Sequence, residues 1–317
     1  DTGIAPLAFL EGGWPRYWTV FDLAANVAVY LPLGFFLTLA LRGLPGRFTA
    51  LVVAVLLAGG VSCGLETVQN WLPSRVPSNV DLACNALGGL LGAIWAQAVG
   101  PRVFARIAAL EQRLIAPIPH AELGLTLLGL WLLVPLSPET LLFGAGDLRQ
   151  LLGFSSDLPF GAESFILIEA SVTAFNAIAV GLILRMLCAR WLIAYLIVPL
   201  FLLLGLAIRT LAAAILISPG EALAWLTPGA QMGLVVGGLV LAGTLVLPPT
   251  PRLMLAALAL MAGAVLVNLA PPNPYSMAAL ATWRQGHFLN FNGLTRLVAT
   301  LWPFLTLPFL LLATPRT

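Results

Sequence analysis

The chain has 317 residues, 60% of them hydrophobic and 9% charged, with a mean hydropathy of +0.99. A soluble domain averages roughly 25% charged residues, so the composition excludes an ordinary soluble protein and predicts a polytopic membrane protein. The net charge is only +2, all 15 basic residues are Arg, and no basic stripe is present to track a phosphate backbone, so nucleic acid is not an expected partner.

The chain opens Asp1-Thr-Gly-Ile-Ala-Pro6, with neither an initiating Met nor a basic segment followed by an apolar core. No signal peptide is read there, and the expectation is a processed start or an N-terminal piece that precedes this chain. Apolar runs then fall at roughly 20–42, 48–70, 80–99, 121–137, 162–187, 191–217, 228–248, 253–270 and 296–314. A span needs about 20 apolar residues, which predicts about nine transmembrane helices. The runs are continuous rather than alternating, and an open sheet edge cannot be satisfied in lipid, so helices are favoured over a barrel. The expected fold is an all-α membrane bundle, with one region over 1–115 and additional helices over 116–317 packed on it.

Arginines set the orientation, because Lys and Arg concentrate in cytoplasmic loops. Arg42 and Arg47, then Arg102, Arg106 and Arg113, then Arg185 and Arg190, then Arg252, then Arg316 occupy alternate connections and the C-terminus. A start outside and a cytoplasmic C-terminus are therefore predicted. Three outer connections, 71–79, 138–161 and 271–295, are long enough to carry structure. The second holds Glu139, Asp147, Arg149 and Asp157, and it is expected to be re-entrant or to lie on the surface, as is the third. Trp14, Tyr17, Trp18, Trp71 and Trp302 sit at span ends, as interfacial aromatics do. Cys63, Cys84 and Cys188 lie in predicted spans without CxxC spacing, so neither a disulfide nor a zinc site is expected. No cofactor is expected.

Polar residues cluster at the predicted outer level. Asp22 and Asn26 open the first span, Glu66 and Gln69 close the second, and Asp81 and Asn85 open the third, with Arg75 between. Spacings of three and four put each pair on one helix face, and Asp22 and Asp81 suit the positive end of a helix dipole. Ser78 or Asn79 is expected to cap the third span. Ionisable groups at the edge of hydrocarbon are costly and mark functional sites by default.

Two readings stay open for this set. One is an interhelical clamp, in which the polar groups satisfy one another. The other is a pocket open to the outer leaflet that binds a head group, a peptide or an ion. Chemically, Glu66 and Asp81 could act as general acid and base, their pKa values separated by burial and by Arg75. A divalent cation among Asp22, Glu66 and Asp81 is a further option. Nucleophilic catalysis is weakest, since neither Cys63 nor Cys84 has a His nearby in sequence. His120 is expected inside, so only His287 could join the site. Glu169, Asn176, Arg209, Gln231 and Asn268 are lesser polar candidates within later spans, with Glu169 and Arg209 expected to pair. The stretch Gly286–Arg296 reads as a capped loop more readily than as a site. Gly88 with Gly92, and Gly233 with Gly237, have the spacing of close-packed membrane helices.

Together, Phe21-Asp22-Leu-Ala-Ala-Asn26, Tyr30-Leu-Pro32-Leu-Gly34, Glu66-x-x-Gln69, Arg75, Ser78, Asp81, Asn85, Gly88 and Gly92 resemble the VanZ-like family over residues 20–100. The remainder is similar only to longer members with appended spans. The family usually carries one more helix before the Asp22 segment, which would raise the total to about ten spans. It takes its name from an accessory membrane protein associated with teicoplanin resistance. The resemblance implies an envelope-related role in the bacterial inner membrane, with Asp22, Asn26, Glu66, Gln69, Arg75, Asp81 and Asn85 as motif positions. Membrane lipids, a lipid-linked or amphiphilic ligand, and a larger membrane protein complex are the expected partners. An auxiliary structural subunit and an intramembrane enzyme using Glu66 and Asp81 are the alternatives.

Overall fold

Thr19 starts the first long helix. Its hydroxyl accepts from the Asp22 amide at 3.1 Å and its own amide donates to Asp22 Oδ2 at 3.1 Å, a reciprocal capping box that satisfies two backbone donors at the start of α1, Val20–Ala40. The computed structural model describes residues 7–13, 18–46, 48–69, 71, 77–137, 140–153, 156, 159–271 and 289–313. Among these the regular elements are helical, so the fold is all-α as predicted. The chain divides into two units, Asp1–Leu110 and Glu111–Thr317.

The first unit consists of α1, α2 (Thr49–Gln69) and most of α3 (Asn79–Leu114). The buried residues of α2 are Ala50, Ala54, Ala58, Ser62 and Glu66, one every four positions. This stripe of small side chains lets α3 approach closely and ends in the polar cluster. Glu66 meets Ser78, Ser62 meets Asn85, and Ala58 faces Gly89, so α2 and α3 run antiparallel. The α1–α3 seam is tighter still. A Cβ on Gly34 would lie 2.0 Å from the Gly89 carbonyl oxygen, one on Gly88 2.3 Å from that of Val27, and one on Gly92 2.0 Å from that of Leu31. The two helices run parallel and touch backbone to backbone, a separation that only glycine permits there.

The second unit is arranged around α6 (Ala162–Leu187), which is buried along most of its length. Against it pack α4 (Ala121–Trp131), α7 (Trp191–Leu216), α8 (Pro228–Thr244) and α9 (Pro249–Leu269), and α10 (Leu289–Leu312) packs on α4 and α9. The one-turn α5 is Arg149–Leu152. Gly233 and Gly237 of α8 lie against Ala170 and Ala174 of α6, so this pair too serves close packing. The large core side chains are Trp131, Phe143, Leu182, Ile183, Leu187, Leu260, Trp302 and Phe309. The Trp302 indole, buried in apolar surroundings, donates to the Leu127 carbonyl at 2.7 Å, so its N–H does not go unsatisfied.

Among the described residues seven helices are long and apolar enough to cross a membrane, and the other two of the nine expected runs are shorter apolar helices. Helix α4 has 11 residues and passes into a 3₁₀ turn at Val134–Leu136 around Pro135, which lacks the N–H a continuing helix requires. Helix α8 has 17 residues and stops before the turn leading to Pro248. Conversely, α3 does not end at Gly100-Pro101 but continues as a polar, arginine-bearing extension to Leu114. In the 138–161 connection, Leu142–Gly146 are buried. Their backbone is satisfied from three helices: the Gly146 amide donates to Ala299 O, Thr173 Oγ1 donates to Leu142 O, and Asn268 Nδ2 donates to Gly146 O. This loop folds in among the helices, the re-entrant option, as its apolar sequence Leu141-Leu-Phe-Gly-Ala suggests. Residues 272–288, with His287, lie outside the described residues.

Candidate functional site

Each helix of the first unit brings one polar face to the same end. On α1 the residues Asp22, Asn26 and Tyr30 follow at intervals of four, and Gly34 continues the row into the glycine seam. On α2 the row is Ser62 and Glu66, and on α3 it is Asp81 and Asn85, continuing to Gly88 and Gly92. A step of four residues descends about 6 Å along a helix axis, so the polar groups form two levels.

At the upper level, Asn26 Nδ2 donates to Asp81 Oδ1 at 2.9 Å and joins α1 to α3. Glu66 Oε2 accepts from the Ser78 amide at 2.9 Å, a bond from the end of α2 to the start of α3. Ser78 Oγ in turn accepts from the Asp81 amide at 3.2 Å and caps α3, which settles which of Ser78 and Asn79 plays that part. Asn79 Nδ2 reaches instead to the Gly12 carbonyl. Glu66 is only 4% exposed. At the lower level, Asn85 Nδ2 donates to Ser62 Oγ at 2.9 Å. The Tyr30 hydroxyl interacts with Ser62 and lies near enough to Glu66 to feel its charge. Asn85 is 6% exposed, and its carboxamide oxygen has no donor among the described residues.

The motif residues therefore divide by role. Asn26, Glu66, Asp81 and Asn85 each take part in a hydrogen bond between helices. Asp22 is half-buried on the same helix face, but its carboxylate accepts from its own N-cap, with Thr19 Oγ1 at 2.7 Å. Gln69 is half-buried in the last turn of α2. Arg75 lies outside the described residues. Among the described residues no three His, Cys, Asp or Glu side chains, Asp22, Glu66 and Asp81 included, gather into a group that could hold a metal ion. Sequence reasoning passed over Ser62 and Tyr30. Both were reachable, since Ser62 precedes Glu66 by four on the small-residue stripe and Tyr30 follows Asn26 by four.

The lesser candidates belong to the second unit and are structural in their contacts. Glu169, 7% exposed, shares a side-chain hydrogen bond with Thr227 and feels the charge of Arg209. Arg209 donates to the carbonyls of Ser137 and Thr140. Asn268 Oδ1 accepts from the Leu148 amide at 2.9 Å, while Asp147 and Arg149 form an ion pair at 2.7 Å and Arg149 also donates to Ala270 O. Asn176 Nδ2 donates to Val172 O within its own helix, and Gln231 Nε2 to Leu226 O.

No curated protein and no solved structure matches the chain. Residues 4–100 match the family model described as VanZ/LLP1, an interval that contains every motif position named above. Residues 4–100 are thus a VanZ-like domain by this match, and the chain continues beyond them into further apolar helices.

Proposed function

We propose that the VanZ-like domain binds the polar head of an amphiphile, a lipid or lipid-linked molecule, at the outer face of the bacterial inner membrane. The role is envelope-related, of the kind that alters teicoplanin susceptibility. The observation that carries this reading is the Asn85 carboxamide oxygen. An acceptor buried without a donor costs about 1–3 kcal/mol, and such groups in native structures call for a reason. A ligand hydroxyl, amide or ammonium between Asn85 and Glu66 would supply the donor, and Tyr30 and Ser62 line the same level.

The hydrogen bonds between helices favour a second reading, a clamp with no ligand. Expression of the full chain in a teicoplanin-sensitive host separates the two. For a binding site, Asn85→Leu abolishes the change in susceptibility while membrane abundance and Tm hold, because removing an unmatched acceptor offsets the loss of the Asn85–Ser62 bond. For a clamp, activity falls only as far as stability does.

A further inference from the structure

The second unit carries a basic pair that no role above uses. Arg185, in the last turn of α6, donates through Nε to Leu245 O at 3.0 Å and through Nη1 to Cys188 O at 3.2 Å. Arg252, in the first turn of α9, donates through Nη1 to Leu247 O at 3.3 Å. Both guanidiniums thus lean over the same turn, residues 245–247, and Arg252 feels the charge of Arg185.

Arg252 is 7% exposed, and its Nε is buried without an acceptor. Three contacts to carbonyls leave most of the pair's N–H donors unused, and among the described residues no carboxylate is paired with either. Cys188 does not supply the missing charge. Burial pushes its thiol pKa up despite both arginines, so it stays protonated near neutrality. Two like charges facing one turn repel, and an anion between them relieves that repulsion. Trp191, half-exposed and edge-on to Tyr195 at 5.9 Å between ring centroids, follows directly after this end of α6. Such aromatics mark the level of lipid head groups. Planar guanidiniums bind phosphate oxygens in pairs, and basic pockets between membrane helices take anionic head groups.

We propose that Arg185 and Arg252 form a binding site for a phosphate group, of the kind carried by an anionic phospholipid. This site is independent of the VanZ-like domain and of its proposed ligand.

The test is native mass spectrometry of the purified full chain in mild detergent, with phosphatidylglycerol, phosphatidylcholine or inorganic phosphate added separately, read alongside Tm. Phosphatidylglycerol should be retained in preference to phosphatidylcholine and should raise Tm. Arg185→Gln should weaken retention about tenfold, the loss of one charge-assisted contact, whereas Arg190→Gln should leave it unchanged. Saturable binding of inorganic phosphate, lost in Arg185→Gln, would also support the site and identify its ligand as soluble. Should Arg252→Gln fail to fold, Arg185→Gln and Arg185→Lys carry the test alone. Equal retention by wild type and Arg185→Gln, or equal loss in Arg190→Gln, overturns the proposal.

Discussion

The sharpest consequence of the α1–α3 seam concerns Gly92→Ala. A Cβ at Gly92 would stand 2.0 Å from Leu31 O and 2.8 Å from Phe35 N, where real Cβ atoms come no closer than 3.0 Å. Both obstacles are backbone, so no rotamer change relieves them, and the helices must separate by roughly 1 Å or more. Overpacking of this kind costs about 1–3 kcal/mol. The same displacement stretches the 2.9 Å Asn26–Asp81 bond beyond useful length, and interhelical bonds in membranes contribute about 0.6 kcal/mol each, at most about 1.7. The expected loss is therefore about 2–4 kcal/mol. Gly60 lies on α2 with open space at its Cβ position, so Gly60→Ala should be neutral or slightly stabilising, since Ala favours a helix by about 0.5–1 kcal/mol. Reversible unfolding of the full chain in mixed micelles, followed by helicity, measures both variants. Wild-type stability in Gly92→Ala, or an equal loss in Gly60→Ala, would refute the seam as described.

Three further outcomes are expected. Glu66→Leu should cost about 1–3 kcal/mol by leaving the Ser78 amide without its acceptor, while Glu66→Gln, whose amide oxygen accepts equally well, should cost under about 1 kcal/mol; the same unfolding assay distinguishes them. A double-mutant cycle of Asn26→Leu with Asp81→Leu should give a coupling of about 0.6–1.7 kcal/mol, and a value near zero means that the bond does not stabilise the α1–α3 pair. Cys188, 4% exposed and with its thiol pKa raised by burial, should react with maleimide only after unfolding. Because the folded thiol holds its proton longer, its contribution to stability is complete below the unfolded thiol pKa, about 8.5, and falls as pH rises through and above it. Cys188→Ala should flatten that slope in unfolding curves taken across the alkaline range.

The sequence made the helical class, the placement of polar residues at one end of the first three helices, and both glycine pairs legible, because each depends on a period. Burial at every fourth position of α2 and glycines four apart on α3 are properties of a single helix face, visible without knowing the partner helix. What stayed hidden depended on competition for one side chain. Asp22 stands in register with Asn26, yet three residues back is Thr19, and the local capping box engages its carboxylate. Two of the nine expected spans are shorter apolar helices for a related reason. Apolar length alone does not distinguish a full helix from a short one followed by a buried turn. Pro135 and Pro248 decide that locally by removing backbone donors.

The glycine seam and the polar cluster are best understood as one arrangement. An amide and a carboxylate on neighbouring helices can bond directly only if the helix axes come close, and Asn26 and Asp81 have short side chains that bridge α1 and α3 at 2.9 Å. That approach depends on Gly34, Gly88 and Gly92 further along the same two faces, where the helices meet through backbone atoms. On α2, Ala54 and Ala58 do the same for Ser62 and Glu66. The small residues therefore set the spacing at which the polar residues can satisfy one another. Close packing brings the Asn85 amide nitrogen to Ser62, but the amide oxygen remains buried without a donor. Packing by itself accounts for the bonds between the helices and does not account for that atom. A clamp built only for stability uses the Asn85 amide nitrogen but has no use for an acceptor at that position. The presence of Asn85 is therefore the strongest ground for a ligand at the lower level of the site.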